Sequence, residues 1–351
     1  MPTFCRHNRF LERCPICSRT LPGSPESGGS QRSAGTARAR TSGQTTRRRS
    51  SAGESLRVRR ESRAEDDGYR SALLSGLRAS TDARGLAQEI AFSSGRLHLL
   101  AEEPPGLYGE ARRLASEDPE RATWICFLTA YLSPLEGEDP FAGIRLAIAE
   151  APEGPLAPDG EELVAGELPD LRELPLGPRS SHEQTRGAET LIAYGQWVRR
   201  AAGSGSGSGT GGQQAIAFRG DPAWSAPRRF ERLFERLALP GFARRARYDL
   251  LVTLGRLGVY ELRPDSLHLG GARGLSADDP TTLAAKRVFG IGDPLLLERR
   301  AAALAEAVAV PVETLDLALA NWASAERATM GIPPQTSDSG ALERAGDALG
   351  L

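Results

Sequence analysis

The sequence predicts a mainly α-helical protein with a short cysteine-rich segment ahead of its helical part. Apolar residues recur at helical spacing after about residue 67, while the alternating patterns of strands are scarce. Four cysteines in 351 residues exclude a disulfide scaffold. No stretch approaches the roughly 20 consecutive apolar residues of a membrane span. The N-terminus carries Cys, His and Arg where a secretory signal needs an apolar core. We therefore expect a soluble cytoplasmic protein with no membrane partner.

Charge is distributed unevenly along the chain, although the formal net charge is only -1. Residues 1–63 contain 14 arginines and four glutamates, a net charge of +10 with histidine neutral and thiols uncounted, so the remaining 288 residues carry -11. A basic arm on a mildly acidic body predicts a polyanionic partner. A charged, solvated tail is the alternative.

The first 20 residues contain four metal-binding side chains. Cys5 and His7 are followed by Cys14 and Cys17, which are separated by two residues. A C-x-x-C turn lets two thiolates approach one tetrahedral ion, and the first pair fills the remaining corners. The pattern predicts a structural Zn²⁺ with no open position for catalysis. A reduced apolar cluster and a redox C-x-x-C are the alternatives, and the second lacks its usual strand–helix context.

The helical part begins at about residue 67, with apolar spacing first between residues 73 and 77 and then between 86 and 97. A buried helix is predicted over 118–132, where Asp118-Pro119-Glu120 provides the start signal. Residues 150–180, rich in Pro, Glu and Gly, predict a long irregular excursion. The further predicted helices lie near residues 183–200, 230–237, 243–257, 280–288, 294–308 and 312–326.

The Gly-Ser repeat over residues 203–212 predicts a flexible loop inserted in one large domain, because the helices before it are too few for a second core. The predicted organisation is a zinc-binding module (1–20), a disordered Arg-rich linker (21–66), a helical domain (67–330) and a C-terminal tail (331–351).

The most informative motif in the helical part is the turn Gly290-Ile291-Gly292 between two predicted helices. Such glycines allow a tight turn that aims backbone N–H groups and the positive end of the next helix at a phosphate. The pattern is typical of a helix-hairpin-helix that contacts a DNA backbone. An ordinary turn between helices is the alternative.

Cationic residues surround this motif. Residues 219–263 hold ten arginines against five acids, and arginine pairs with phosphates bidentately. Lys286 is the only lysine beside 43 arginines, which indicates a position that needs a compact amine, either for a phosphate contact or as a Schiff-base nucleophile. Chance survival, and a solvated helix face for each arginine, are the alternatives. The predicted DNA-binding residues are Gly290, Gly292, Arg287, Arg244, Arg245, Arg247, Arg228 and Arg229.

Two acids follow the hairpin. Glu313 lies 21 residues beyond Gly292, and Asp316 lies one helical turn further on roughly the same face. Either carboxylate is a candidate for activating an amine or stabilising developing positive charge. Acids at helix N-termini also serve as caps and dipole partners, which is the structural alternative.

Three parts of the chain together resemble one protein family. They are Cys5-Arg6-His7-Asn8-Arg9-Phe10 with Cys14-Pro15-Ile16-Cys17-Ser18, Leu239-Pro240-Gly241-Phe242 with Arg247-Tyr248-Asp249-Leu250-Leu251, and Lys286-Arg287-Val288-Phe289-Gly290-Ile291-Gly292-Asp293 with Leu315-Asp316-Leu317-Ala318-Leu319. These segments look like the bacterial, clade 3-like members of the alpha-glutamyl/putrescinyl thymine pyrophosphorylases, a family regarded as derived from the helix-hairpin-helix DNA glycosylases. The resemblance covers residues 67–330 and the zinc module.

The resemblance implies a glycosylase-like helical fold and action on a base in DNA. In phage members the implied chemistry replaces a pyrophosphate on 5-hydroxymethyluracil with an amine such as putrescine or glutamate. In the related glycosylases a Val-Asp-Thr or Pro-x-x-Asp segment after the hairpin supplies the catalytic carboxylate. Val312-Glu313-Thr314 resembles it, with Glu in place of Asp.

Three functions therefore stay open on sequence grounds. The first is an enzyme that substitutes an amine on a flipped, thymine-derived base. The second is an N-glycosylase that excises such a base in phage defence or repair. The third is a DNA-binding protein without catalysis that uses the zinc module, the arm and the hairpin. An RNA-binding module is disfavoured because RNA-recognition signatures are absent. The oligomeric state does not follow from the sequence.

Overall fold

The computed structural model describes residues 64–152, 154–155, 168–203, 212–270 and 279–351. Within these ranges the secondary structure consists of α-helices and a 3₁₀ turn, with no strand, which confirms the mainly α prediction. None of the helices in these ranges is long and apolar enough to cross a membrane. Residues 21–63 of the predicted linker and the predicted zinc ligands lie outside the described residues; the ligands are Cys5, His7, Cys14 and Cys17.

The helices of the described residues follow one another in a single compact unit. Their bounds are α1 (Ser80–Glu102), α2 (Gly106–Leu114), α3 (Pro119–Leu132), α4 (Ala142–Glu150), α5 (Glu189–Gly203), α6 (Gln213–Arg219), α7 (Ala226–Arg236), α8 (Arg244–Arg256), α9 (Pro280–Phe289), α10 (Pro294–Val308), α11 (Thr314–Ala323) and α12 (Ser339–Leu349).

Helix α3 is the central helix of the fold. The side chain of Asp118 accepts a hydrogen bond from the Arg121 amide, and Pro119 occupies the first helical turn, as its start signal predicted. Every residue from Ala122 to Leu132 is buried, because α3 packs against α2, α4, α6 and α8. A helix that is apolar on all faces is surrounded in this way.

The later helices begin at side-chain caps that the sequence signals. Helices α9 and α10 each start at an Asp-Pro pair, where Asp279 accepts from the Thr282 amide and Asp293 from the Leu296 amide. Helix α10 occupies residues 294–308, as predicted. Local caps and helical periodicity together fix these ends.

Several predicted elements differ from those observed. Residues 73–77 form turns ahead of α1 rather than a helix, although Leu74 and Leu77 are buried. The helix predicted over 183–200 begins only at Glu189, because Gly187 adopts a positive φ of 52° after a 3₁₀ turn. The short helices α2, α4 and α6 were not predicted.

The C-terminal segment 331–351, expected as a tail, carries α12 and packs on the domain. Helix α12 contacts α1 and α10 and buries Ala341, Ala345 and Leu349. The backbone amide of Asp338 donates to the Ala91 carbonyl at 3.0 Å. Three small or apolar residues at helical spacing give this segment a face that the core covers.

Two helices, α9 and α10, are joined by residues 290–293 at the position of the predicted hairpin. Gly290 has φ 82°, a conformation that favours glycine. The Gly76 amide donates to the Val288 carbonyl at 2.9 Å, and a Cβ at Gly76 would lie 2.1 Å from the Arg287 carbonyl oxygen. The turn that precedes α1 is therefore packed directly against the end of α9. Recognition of DNA by this hairpin stays a prediction.

Candidate functional site

Five charged side chains meet in the protein interior. Arg179 contacts Asp249 at 3.1 Å and Asp316 at 2.8 Å, while Arg244 contacts Asp316 and lies 3.1 Å from Asp279. All five are at least nine-tenths buried. Asp316 stands at the centre, because each of its carboxylate oxygens accepts from a different guanidinium group. We call these five residues the charge cluster.

The members of the charge cluster come from four separate parts of the chain. Helix α8 contributes Arg244 and Asp249, α11 contributes Asp316, and the cap of α9 contributes Asp279. Arg179 comes from an irregular stretch that is fastened to the C-terminal end of α3, where the Ser181 amide donates to the Tyr131 carbonyl at 2.9 Å. The cluster therefore ties α8, α9 and α11 to this stretch.

The pKa values in the charge cluster reflect burial and charge pairing together. Burial raises the pKa of Asp316 above its ordinary value, although Arg244 and Arg179 oppose this. Burial works against the charged form of Asp279 too, but Arg244 and the hydrogen bonds from Thr282 hold its pKa below the ordinary value. The two arginines stay charged, because burial is outweighed by their carboxylate partners.

A third buried cation lies beside the charge cluster. Arg96 on α1 is 3% exposed, and its Nε and Nη2 atoms have no hydrogen-bond partner among the described residues. It adjoins Tyr108, which also senses the charge of Asp249, and burial raises the pKa of Tyr108 to about 12. Tyr108 therefore lies near both Arg96 and the acid Asp249 of the charge cluster.

The two predicted catalytic acids have different surroundings. Glu313 directly precedes α11 and pairs at 2.5 Å with Arg256. Arg256 lies at the opposite end of α8 from Arg244, and its side chain is 28% exposed. Asp316 is engaged by Arg179 and Arg244 in the interior. Neither acid lines any of the three cavities identified among the described residues. A role for Asp316 in contact with substrate would require its arginines to move, and catalysis by either acid stays a prediction.

Most of the arginines predicted to contact DNA have partners inside the protein. Arg229 donates to the carbonyl oxygens of Glu261 and Trp224. Arg247 donates to the Phe234 carbonyl and lies over that ring at 4.7 Å. Burial, with repulsion from Arg244, lowers the pKa of Arg247 to about 10. Arg229, Arg244 and Arg247 are 4–7% exposed, so their placement does not support the predicted phosphate contacts.

The remaining cationic positions lie nearer the surface. Arg228 is exposed on α7. Arg245 is partly exposed and donates to the Arg179 carbonyl at 3.0 Å and to the Ser180 carbonyl. Burial and the charge of Arg179 lower the pKa of Arg245. Its guanidinium group thus holds the irregular stretch in place while reaching a surface cleft.

That cleft, of about 380 Å³, lies between the irregular stretch and the turn before α8. Ser180, His182, Arg186 and Arg245 supply its polar lining, together with the acid Glu183. The turn requires glycine, because Gly241 has φ 74° and a Cβ there would lie 2.3 Å from Thr190 Oγ1. Arg179 and Arg244 of the charge cluster are chain neighbours of lining residues, so the cluster supports this part of the surface.

A larger cavity, of about 660 Å³, runs along the hairpin. Lys286 and Arg287 line it together with Leu283, Gly290 and Ile291. The Arg287 guanidinium lies 5.0 Å from the centre of the Trp322 ring. The structure therefore brings predicted residues Lys286, Arg287 and Gly290 to one open surface.

Sequence reasoning missed three members of the charge cluster. The only sequence signal for Asp249 is that it is an acid within the apolar run of α8. The sequence around Asp279 predicts an ordinary helix cap. Arg179 lies in a stretch with no periodic pattern, so no local signal marks it. Among the described residues no group of three or more His, Cys, Asp or Glu side chains is placed to hold a metal ion.

Comparison with known proteins gives one informative result. No curated protein and no solved structure matches the chain. Residues 178–329 match the family model of alpha-glutamyl/putrescinyl thymine pyrophosphorylase clade 3. This segment contains the whole charge cluster and the hairpin. The match, over less than half of the chain, is to the family that the sequence predicted, and it supports that prediction for residues 178–329.

Proposed function

We propose that the protein is an enzyme acting on a thymine-derived base in DNA. The observation that carries the proposal is the family match, which spans the irregular stretch, α8, the hairpin and α11. The cationic cavity along the hairpin supports a polyanionic substrate, because Lys286 and Arg287 share its surface. The target base must leave the stack for its substituent to be reached.

The proposed reaction is an amine substitution on a 5-hydroxymethyluracil-type base. The bond between the base's methylene carbon and the diphosphate oxygen breaks, and pyrophosphate leaves with the electron pair. The amine nitrogen of a small amine or amino-acid co-substrate forms the new bond to that carbon and releases a proton. A carboxylate is the group expected to accept that proton as a general base, and the candidates for it are Glu313 and Asp316.

The two acids differ in what their surroundings allow. Glu313 is buried, but it pairs with a single arginine, Arg256, whose side chain is 28% exposed, so fewer contacts must break for its carboxylate to meet a substrate than for Asp316. Asp316 is bonded on both oxygens, so in this proposal it acts as a positioning residue that fixes Arg179 and Arg244. Lys286 is proposed to contact phosphate rather than to form a Schiff base, since it precedes the hairpin glycines.

The test is mass spectrometry of nucleosides after incubation with phage DNA that carries pyrophosphorylated 5-hydroxymethyluracil. Putrescine or glutamate is supplied, and released pyrophosphate is measured in parallel. Product formation that is lost in Glu313→Gln and kept in Asp139→Asn supports the proposal, because Asp139 forms an exposed pair with Arg145 away from both candidate acids. Base release without an amine adduct would instead identify a glycosylase, and unchanged DNA would reject both reactions.

A DNA-binding protein without catalysis is the second candidate. It is favoured by one observation, namely that both candidate acids are occupied by arginines and line no described cavity. Retained DNA affinity without turnover under any co-substrate would select this candidate.

The N-terminal arm completes the proposal. A structural Zn²⁺ held by Cys5, His7, Cys14 and Cys17 is proposed from the ligand spacing. The basic linker that follows would add affinity through counterion release without reading bases.

A further inference from the structure

Exposed apolar side chains are concentrated at the hairpin. The described residues include six exposed large hydrophobic side chains, and three of them lie between residues 283 and 295. Ile291 is 96% exposed, Leu295 is 70% exposed and Leu283 is 44% exposed. Single exposed aliphatic residues are common on protein surfaces, but a group within 13 residues, two of which (Leu283 and Ile291) line one cavity, indicates an interaction site.

The tip of the hairpin is held rigidly although its side chain is exposed. The Phe289 carbonyl at the end of α9 accepts from the Ser75 hydroxyl at 2.5 Å and from the Arg300 guanidinium. On the other side of the tip, Asp293 caps α10 through the Leu296 amide at 2.8 Å. Ile291 therefore projects from a fixed turn, and inserting it into a partner costs little backbone entropy.

The surroundings of this apolar tip are mainly cationic. Lys286 and Arg287 line the same cavity as Ile291 and Leu283, and Arg300 lies below the turn. The acids nearby are Asp293, which caps α10, and Glu298, which is turned inward to accept from the amides of Leu267 and Leu269. The exposed Ile291 side chain with cationic side chains around it complements duplex DNA, in which anionic phosphates flank apolar bases.

We propose that Ile291, supported by Leu295, is an apolar wedge that enters a groove of duplex DNA and contacts the bases, while Lys286 lies against the adjoining phosphates. Side chains of this kind unstack neighbouring base pairs in minor-groove complexes. This inference rests on the proposed function in one respect, namely that DNA is the partner. It adds the residue that would open the stack from which a base is extruded.

The experiment measures binding of the full chain to an unmodified duplex that contains 2-aminopurine, whose emission rises on unstacking. Ile291→Ser is compared with Leu146→Ser, a matched change at a 54% exposed leucine on α4. Ile291→Ser is expected to weaken binding about tenfold and to abolish the rise in emission. The slope of log affinity against log salt should be unchanged, whereas Lys286→Gln should reduce that slope by about one.

Two results would overturn the wedge. In the first, Ile291→Ser behaves like Leu146→Ser in both affinity and emission. In the second, Ile291→Ser leaves DNA affinity intact but abolishes self-association in sedimentation velocity, which would make the tip an interface between copies of the chain. Failure of the wedge is separable from failure of the proposed reaction, because unmodified DNA reports the first and nucleoside mass spectrometry reports the second.

Discussion

Replacing Asp316 by asparagine removes the centre of the charge cluster while keeping the side chain's size. In the wild-type protein one carboxylate oxygen accepts from Arg179 at 2.8 Å and the other accepts from Arg244. Asparagine offers a single oxygen, so its amide nitrogen must face one of the two guanidinium groups. Donor then faces donor in a site from which water is excluded.

The magnitude follows from what each arginine retains. Breaking a buried ion pair costs roughly 3–5 kcal/mol when the remaining charge is left without a partner. Arg179 keeps Asp249, and Arg244 keeps Asp279. We therefore expect a loss at the lower end, about 3 kcal/mol of unfolding free energy. Glu313→Gln is the matched change, and it should cost only about 1 kcal/mol because its partner Arg256 is partly hydrated.

Urea unfolding at neutral pH, followed by tryptophan fluorescence, measures both variants against the wild type. The change should appear in the midpoint with an unchanged m-value. A loss below about 1 kcal/mol for Asp316→Asn, or one no larger than that of Glu313→Gln, would refute the assignment of Asp316 as the centre of a buried cluster. Activity of Asp316→Asn is therefore to be compared only at temperatures where it remains folded.

Four further predictions follow. The pKa of Asp279 is lowered in the folded protein. Its ionised carboxylate therefore contributes stability above the unfolded pKa of about 3.9, and this contribution is lost as pH falls through the folded pKa. Asp279→Asn should reduce the loss of stability at acid pH, measured by urea unfolding between about pH 5 and pH 2.5. Gly76→Ala should lower the free energy of unfolding by about 2 kcal/mol, because the new Cβ would lie 2.1 Å from a backbone carbonyl oxygen. Gly346→Ala should raise it by about 0.5–1 kcal/mol, because the new Cβ would meet nothing within 4 Å. Equal shifts of the two melting temperatures in calorimetry would contradict this. Metal analysis of the purified protein should find about one zinc per chain, held within residues 1–20. Removing residues 1–63 should weaken DNA binding and flatten its salt dependence without changing base preference, and an unchanged slope would mean that the arm does not contact DNA.

The sequence alone determined much of the helical framework. The bounds of α10 and the core of α3 follow from Asp-Pro start signals and apolar periodicity, which act over a few residues and need no knowledge of the fold. The turn between α9 and α10 was predictable for the same reason, because a Gly-x-Gly sequence between two helical patterns is a local feature. The short helices α2, α4 and α6 were missed since helices of 7–9 residues depend on tertiary packing more than on propensity.

Only the tertiary structure decided which charges face solvent. Arg228 and Arg229 are chain neighbours of the same type, yet Arg228 is exposed and Arg229 is 7% exposed with its guanidinium bonded to backbone carbonyls. The run of arginines that includes Arg244 and Arg247 predicted a phosphate-binding surface, but both side chains are buried in the protein interior. Burial depends on which helix face another element covers, and that is a property of contacts between residues far apart in the chain. Arg179 lies in a stretch without periodicity, so its ion pair with Asp316 could not be predicted from the sequence and is seen only in the tertiary structure.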